Sequence, residues 1–409
     1  MLLPLMKTNI TPECRQETAH GLPDSQPQPP CPPKSSGEDD SPIFDELYDL
    51  EDPDIPYYEP AMESGTMESI YGTVAYLMER AIELCERETP EDLSQAVAAC
   101  RLAVGVWEAR PSLPSDFRQH ELAQALLEFG NALTFEPCLD FLPEAIEAFD
   151  YAIRLWNVLP IDEQPVYRSS LAQAWAGRGH ALAVQNTSNS LRQALRAFDR
   201  AIYIQESLPP ADDPQYRDDL AEFCVRRARV LIGLGGEENL TEAVHGCDYA
   251  LKLRAPEADS QLDQECWELA RAWETRGYAL GRMNTAESLA EAIRSYDQAI
   301  QLRQTIPFDW HHPYRYALGW AWGYRGDALF QQSTPESLAA AVRSYDQAIR
   351  LMETLPLAEN DKYQAELERV SKARIVAFDH PDLIKSLVGP LKPSTRALVL
   401  VRKQPSGRV

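Results

Sequence analysis

The heptapeptide Arg-Ser-Tyr-Asp-Gln-Ala-Ile occupies residues 294–300 and returns at 343–349. Looser copies stand upstream, so that Asp150, Asp199, Asp248, Asp297 and Asp346 follow one another at a fixed interval of 49 residues. A period of this size implies stacked units that bury a continuous core only by packing on their neighbours. Within the copy at 171–209, Leu191, Ala194, Leu195, Phe198, Ala201 and Ile202 recur at helical spacing and form one apolar stripe. Before it, Leu171, Ala174, Trp175, Gly179 and Leu182 share the face of an earlier helix. Prolines at 111, 160, 209, 307 and 356 lie in phase, where they stop the second helix. Thr-Pro-Glu at 89–91 and 334–336 supplies an N-cap, a first-turn proline and a first-turn acid. The glycines of 233–239 fall at a turn between helices, as does the His311–His312 pair. No strand pattern interrupts the array. The expected fold is all-α: an α-solenoid of stacked antiparallel helix pairs.

The array is expected over 65–378 as about six units, with a helix at about 66–86 opening the stack as a half unit. Residues 1–64 differ: they hold 12 of the 31 prolines, and Glu38–Glu63 has eleven acids and no base. Such a segment buries too little apolar surface to offset its ordering entropy, so disorder is expected. Residues 379–409 read as a basic tail or cap. The net charge of −24 repels phosphates and anionic membranes. No apolar run reaches the ~20 residues that span a bilayer, and a cytoplasmic protein is expected. The eight cysteines form no C-x-x-C pair. Cys100 and Cys247 stand where other copies hold Phe or Tyr, as small core residues. No metal, cofactor or catalytic constellation is indicated.

A second residue keeps the period. Arg178, Arg227, Arg276, Arg325 and Arg374 lie on the apolar stripe of the first helices, where a lone charge is costly. Pairing each with the Asp 28 residues earlier gives 150–178, 199–227, 248–276, 297–325 and 346–374. The one exceptional copy, Arg101 with Phe129, then changes both members together. Pairing each arginine instead with the Asp 21 residues later would set Arg80 against Arg101 and Phe129 against Asp150. A further alternative is that both residues are solvated and recur only through duplication.

The array resembles the tetratricopeptide repeat family. The residues that carry the resemblance are Trp175 and Gly179, then Ala194, Phe198 and Ala201, with later copies Trp273, Gly277, Ala292, Tyr296, Ala299 and Trp322, Gly326, Ala341, Tyr345, Ala348. Ala145, Phe149 and Ala152 add an earlier second helix. The family unit is usually about 34 residues, so these units are extended. The resemblance implies a non-catalytic scaffold that binds a peptide or helix in a concave groove. It maps Arg229, Arg271, Tyr278, Arg282, Trp320, Phe330, Arg369 and Lys372 to the groove, with Glu222, Glu274 and Asp327 also inward. The family's chaperone carboxylate clamp does not carry over, because Ala176 and His180, or Glu274 and Tyr278, stand at its positions. A protein or peptide partner is expected. Two rival readings stay open: a self-inhibited adaptor whose segment 41–60 fills the groove, and a self-assembling structural array. In that segment Ile43, Leu47 and Leu50 share a helical face beside Phe44 and Tyr48. The same segment also reads as a solvated tail.

Overall fold

A computed structural model describes residues 67–86, 90–108, 116–134, 138–161, 164–209, 213–254, 263–306, 312–357 and 361–388. The expectations for 1–64 and for the end of the tail lie outside them. Fourteen α-helices are described, with no strand among these residues. They are α1 (Met67–Glu86), α2 (Pro90–Glu108), α3 (Asp116–Ala132), α4 (Leu142–Asn157), α5 (Pro165–Val184), α6 (Ser188–Glu206) and α7 (Pro214–Leu234). Then come α8 (Glu237–Leu253), α9 (Asp263–Met283), α10 (Ala286–Thr305), α11 (His312–Gln332), α12 (Pro335–Met352), α13 (Asp361–Phe378) and α14 (Pro381–Val388). The odd-numbered helices begin at 67, 116, 165, 214, 263, 312 and 361, in phase with the sequence period. From α3 onward each helix packs on the next, and α1 packs on both α2 and α3, making a helical repeat of the paired-helix kind. Successive odd-numbered helices also touch, whereas in the even-numbered row only α12 and α14 approach comparably. The stack therefore curves toward its odd-numbered row.

Three sequence readings are corrected. The first helix is no half unit, because α2 pairs with it. His312 opens α11 rather than sitting in a turn. The second helices end before their prolines: α6 stops at Glu206 and α12 at Met352, and a short turn follows in which Leu208 and Leu355 are buried.

The helix starts show why 49 residues fold alike. Thr187, Thr285 and Thr334 each accept from the backbone N–H of Ser190, Ser288 and Ser337, and each serine hydroxyl accepts in return from the threonine N–H. These are reciprocal capping boxes with Ser in place of the usual Glu or Gln. The residue before each threonine is left-handed: Asn186, Asn284 and Ser333 have φ of 50, 57 and 55°, and the unit without that threonine turns through Gly235 and Gly236 at φ 69 and 88°. Asn and Gly tolerate that conformation best.

Packing between the two helices of a unit is a matter of matched sizes. The rings of Phe198, Tyr296 and Tyr345 lie over Gly179, Gly277 and Gly326. Where the first helix has Ala228 the second has Cys247, and where it has Ala81 the second has Cys100. All four of these small residues are buried. Trp175, Trp273 and Trp322 are only partly buried. Each has the arginine three residues on, Arg178, Arg276 or Arg325, 5.5–5.9 Å from its ring centre.

The periodic charges join units. Arg178 Nε donates to Asp150 at 2.6 Å, Arg227 to Asp199 at 2.6 Å, Arg276 to Asp248 at 2.7 Å and Arg325 to Asp297 at 2.6 Å; Arg374 donates likewise to Asp346. The guanidinium also reaches the second helix of its own unit, through Glu242 for Arg227, Ser295 for Arg276 and Ser344 for Arg325. Three of the five rungs thus tie three helices. Where Phe129 replaces the arginine, Arg101 faces Glu144 and Glu147 at 3.7 and 3.9 Å, so the same two even-numbered helices are bridged with the cation on the other side. The aspartates of the rungs are a third to a half exposed, which limits each pair to roughly 0.5–1 kcal/mol. A double-mutant cycle in urea should give about that coupling for Arg276→Ala with Asp248→Ala, and additivity for Arg276→Ala with Asp297→Ala. Equal coupling in both cycles would contradict the geometry.

Candidate binding site

On α7, α9 and α11 the faces that meet neighbouring helices are Ala, Leu and Gly, such as Ala228, Ala279 and Gly319. The residues one turn away are left to line the curved side. Five of the mapped groove residues, Arg229, Arg271, Tyr278, Arg282 and Trp320, meet around one cavity of about 490 Å³. Its aromatic lining is Tyr278, Tyr316 and Trp320, with Trp320 6.1 Å from Tyr278. Behind them Tyr324 lies 4.1 Å from Trp320 and meets Tyr278 edge-on at 5.3 Å.

Charge is distributed unevenly around this cavity. Glu274 lines it, but its carboxylate is bound by both Nε and Nη2 of buried Arg303, at 2.5 and 2.8 Å. Arg303 in turn lies 4.1 Å from the Trp267 ring centre. Arg271 pairs with Glu268 and Arg226 with Glu222. Among the described residues no carboxylate pairs with Arg229 or Arg282; Arg282 has only the Tyr278 ring, 6.0 Å away. Arg229 is open to solvent yet crowded by the concave surface. That crowding, then the charges of Arg271 and Arg226, hold its pKa below the usual arginine value. Burial raises the Glu222 carboxyl, but Arg226, Arg271 and Arg254 outweigh it and keep it ionised. The site presents surplus positive charge and ring faces inside a strongly acidic chain.

His180, on α5 beside this cluster, records the same field. Burial first, then Arg226, Arg229 and Arg271, push its pKa from 6.5 down to about 4, against the opposing pull of Glu222. The unfolded chain therefore takes up a proton near pH 6.5 that the folded chain refuses until about pH 4. Stability from this residue is complete above that window and is lost as pH falls through it, by roughly 3 kcal/mol. His180→Gln should flatten the pH dependence of the urea midpoint between those limits; an unchanged slope would remove His180 from the account.

The other three mapped groove residues lie elsewhere. Arg369 is engaged by Asp327 at 2.7 Å and Glu366 at 2.8 Å and lies over Tyr324 at 4.4 Å. Burial alone would lower its pKa, but these carboxylates drive it well up. Phe330 meets His380 edge-on, and Lys372 is an exposed partner of Glu368. Mapping by helix position places Asp327 inward as well, but does not weigh Glu366 and Glu368, which engage Arg369 and Lys372. Sequence reading also passed over Tyr316 and Tyr324, because neither recurs with the period. A second cavity of about 420 Å³ opens at the exceptional rung, among Arg101, Phe129, Glu144 and Tyr151.

Among the described residues, no group of three or more His, Cys, Asp or Glu side chains is disposed to hold a metal ion. Likewise, no described helix is long and apolar enough to cross a membrane.

The fold defines an α-helical repeat protein with a basic, aromatic-lined cavity on its curved side. No family model matches the chain, and no curated protein matches it. Among solved structures, BtubC (BKLC) from P. vanneervenii shares 12% identity at a TM-score of 0.45, over 66% of this chain and 95% of that one. Yeast Tom70 shares 14% at 0.27, over 85% and 81%. A computationally designed self-assembling cyclic homo-oligomer shares 14% at 0.13, over 76% and 97%. At these scores the fold assignment rests on the helix pairs themselves.

Proposed function

We propose that the chain is a non-catalytic protein-interaction scaffold, an α-solenoid of tetratricopeptide-like 49-residue units that takes an acidic, aromatic-bearing peptide on its odd-numbered helices. The observation that carries this reading is the pair of guanidiniums, Arg229 and Arg282, which no carboxylate of the described residues pairs with, beside Tyr278 and Trp320. Guanidinium plus aromatic face is the composition that dominates binding energy at protein interfaces. A carboxylate fits Arg229 as a bidentate partner, and an adjacent ring fits the wall. The cost of bringing an anion to a chain of charge −24 is met locally, since a concave site concentrates the field of its own charges. The buried cysteines Cys100, Cys224 and Cys247, which form no disulfide among the described residues, suit a reducing compartment, which supports a cytoplasmic location.

The test uses the full chain and a fluorescent random copolymer of Glu and Tyr. Binding should be saturable and weaken as salt rises. Arg229→Glu and Trp320→Ala should each lower affinity at least tenfold, and a polylysine probe should not compete. On saturation, neutralisation of the arginine field should raise the His180 pKa, read from its imidazole resonances. Affinity unchanged by Arg229→Glu would overturn the reading.

A further inference from the structure

We infer that the resting occupant of this cavity is the chain's own residues 43–50, Ile-Phe-Asp-Glu-Leu-Tyr-Asp-Leu, docked within the same molecule. The inference rests on the binding reading above and names its first ligand. Charge is complementary: Asp45, Glu46 and Asp49 belong to a stretch with eleven acids and no base, while the cavity holds Arg229 and Arg282, which have no carboxylate partner among the described residues. Shape is complementary as well. Phe44 and Tyr48 stand four residues apart, so one helical turn brings both rings to one side. A cavity of about 490 Å³ walled by Tyr278 and Trp320 accommodates side chains of that size. Asp45 and Asp49 then flank the rings on one side, within reach of the guanidiniums at the rim, while Glu46 falls on the opposite face and adds only to the overall charge.

Reach decides between the same molecule and a second copy. The segment joins the array at Met67, the start of α1. Four steps along the odd-numbered row, from α1 to α9, cover roughly 40 Å at the usual 8–10 Å between packed helices. The 19 residues from Tyr48 to Met67 can extend to roughly 60 Å. The tether is therefore long enough to seat the segment without strain and short enough to keep its local concentration near millimolar. At ordinary protein concentrations a second copy cannot compete with that.

Two measurements on the full chain test this. First, p-benzoylphenylalanine in place of Phe44 is photoactivated at low micromolar and at tenfold higher concentration. The expected product is a cross-link from residue 44 to α9 or α11 within a monomer, with a yield independent of concentration. Cross-links confined to α1 or its neighbours, or a dimer whose yield rises with concentration, would overturn docking in the same molecule. Second, the Glu–Tyr copolymer is titrated into a variant carrying Asp45→Asn, Glu46→Gln, Asp49→Asn and Tyr48→Ala. Removing the internal competitor should tighten copolymer binding about tenfold. If affinity does not change while Arg229→Glu still abolishes it, the internal ligand is refuted and the binding reading stands. If Arg229→Glu also has no effect, both fall.

Discussion

Gly177→Ala is expected to destabilise the array by about 2–3 kcal/mol, although alanine is the better helix former by about 1 kcal/mol. A β-carbon at Gly177 would lie 2.4 Å from Cε1 and 2.7 Å from Cζ of Phe149. The Phe149 ring is fully buried and faces Gly130 on its other side, where an added carbon would also come within 2.8 Å, so it cannot step aside. Phe149 is held between the first helix of its own unit and that of the next. The control is Gly72→Ala in α1, an exposed position with nothing within 4 Å of the added carbon. That change should stabilise by about 0.5–1 kcal/mol, chiefly by restricting the unfolded chain. Urea unfolding of the two variants should show midpoints moving in opposite directions. Midpoints moving the same way would mean that propensity, not the fit of glycine to ring, governs these positions.

Arg303→Met is expected to cost about 3–5 kcal/mol, because it leaves the Glu274 carboxylate in a buried site with its bidentate partner gone. The companion Glu274→Val should recover most of that loss, bringing the double variant within about 1 kcal/mol of the parent. The chain itself supplies the precedent. One unit earlier the Glu274 position is Val225, and one unit later the Arg303 position is Met352, both buried. A double variant as unstable as the single one would show that the pair adds net stability rather than satisfying itself. The same double variant should leave Arg229 and Arg282 free to bind the acidic copolymer, since neither pairs with Glu274.

What repeats in this chain was legible, and what occurs once was not. Helix pairs, their phase and the apolar teeth are written six times over, so a single miscopied position does not hide the rule. The Glu274–Arg303 pair occupies positions that read Ala176 and Gln205, or Val225 and Arg254, in neighbouring units. With no recurrence there was nothing to align, and the only hint was a charged residue on an otherwise apolar stripe. Five of the mapped groove residues share a cavity because helix position alone fixes which way they point. Arg369 points inward too, yet its charge is consumed by Asp327 and Glu366, a fact set by side-chain reach and not by spacing. The capping boxes were half legible: Thr334 and its proline were evident, while the returning bond from Ser337 was not, because serine is an unusual choice there.

The reversed rung at Arg101 and Phe129 bears on how such an array avoids folding into the wrong copy of itself. Units that share the words at 294–300 and 343–349 are nearly interchangeable as partners. A chain that skips one unit while zipping up would find almost every tooth a socket, and repeat proteins misassemble in this way. At the N-terminal end the skip is not tolerated. It would set Arg101 against Arg178, cation to cation, in place of the anion that Arg178 requires, and it would strand Asp150 away from its own arginine. One inverted rung among five upright ones therefore acts as a keyed end, letting a monotonous stack count its units from a defined origin.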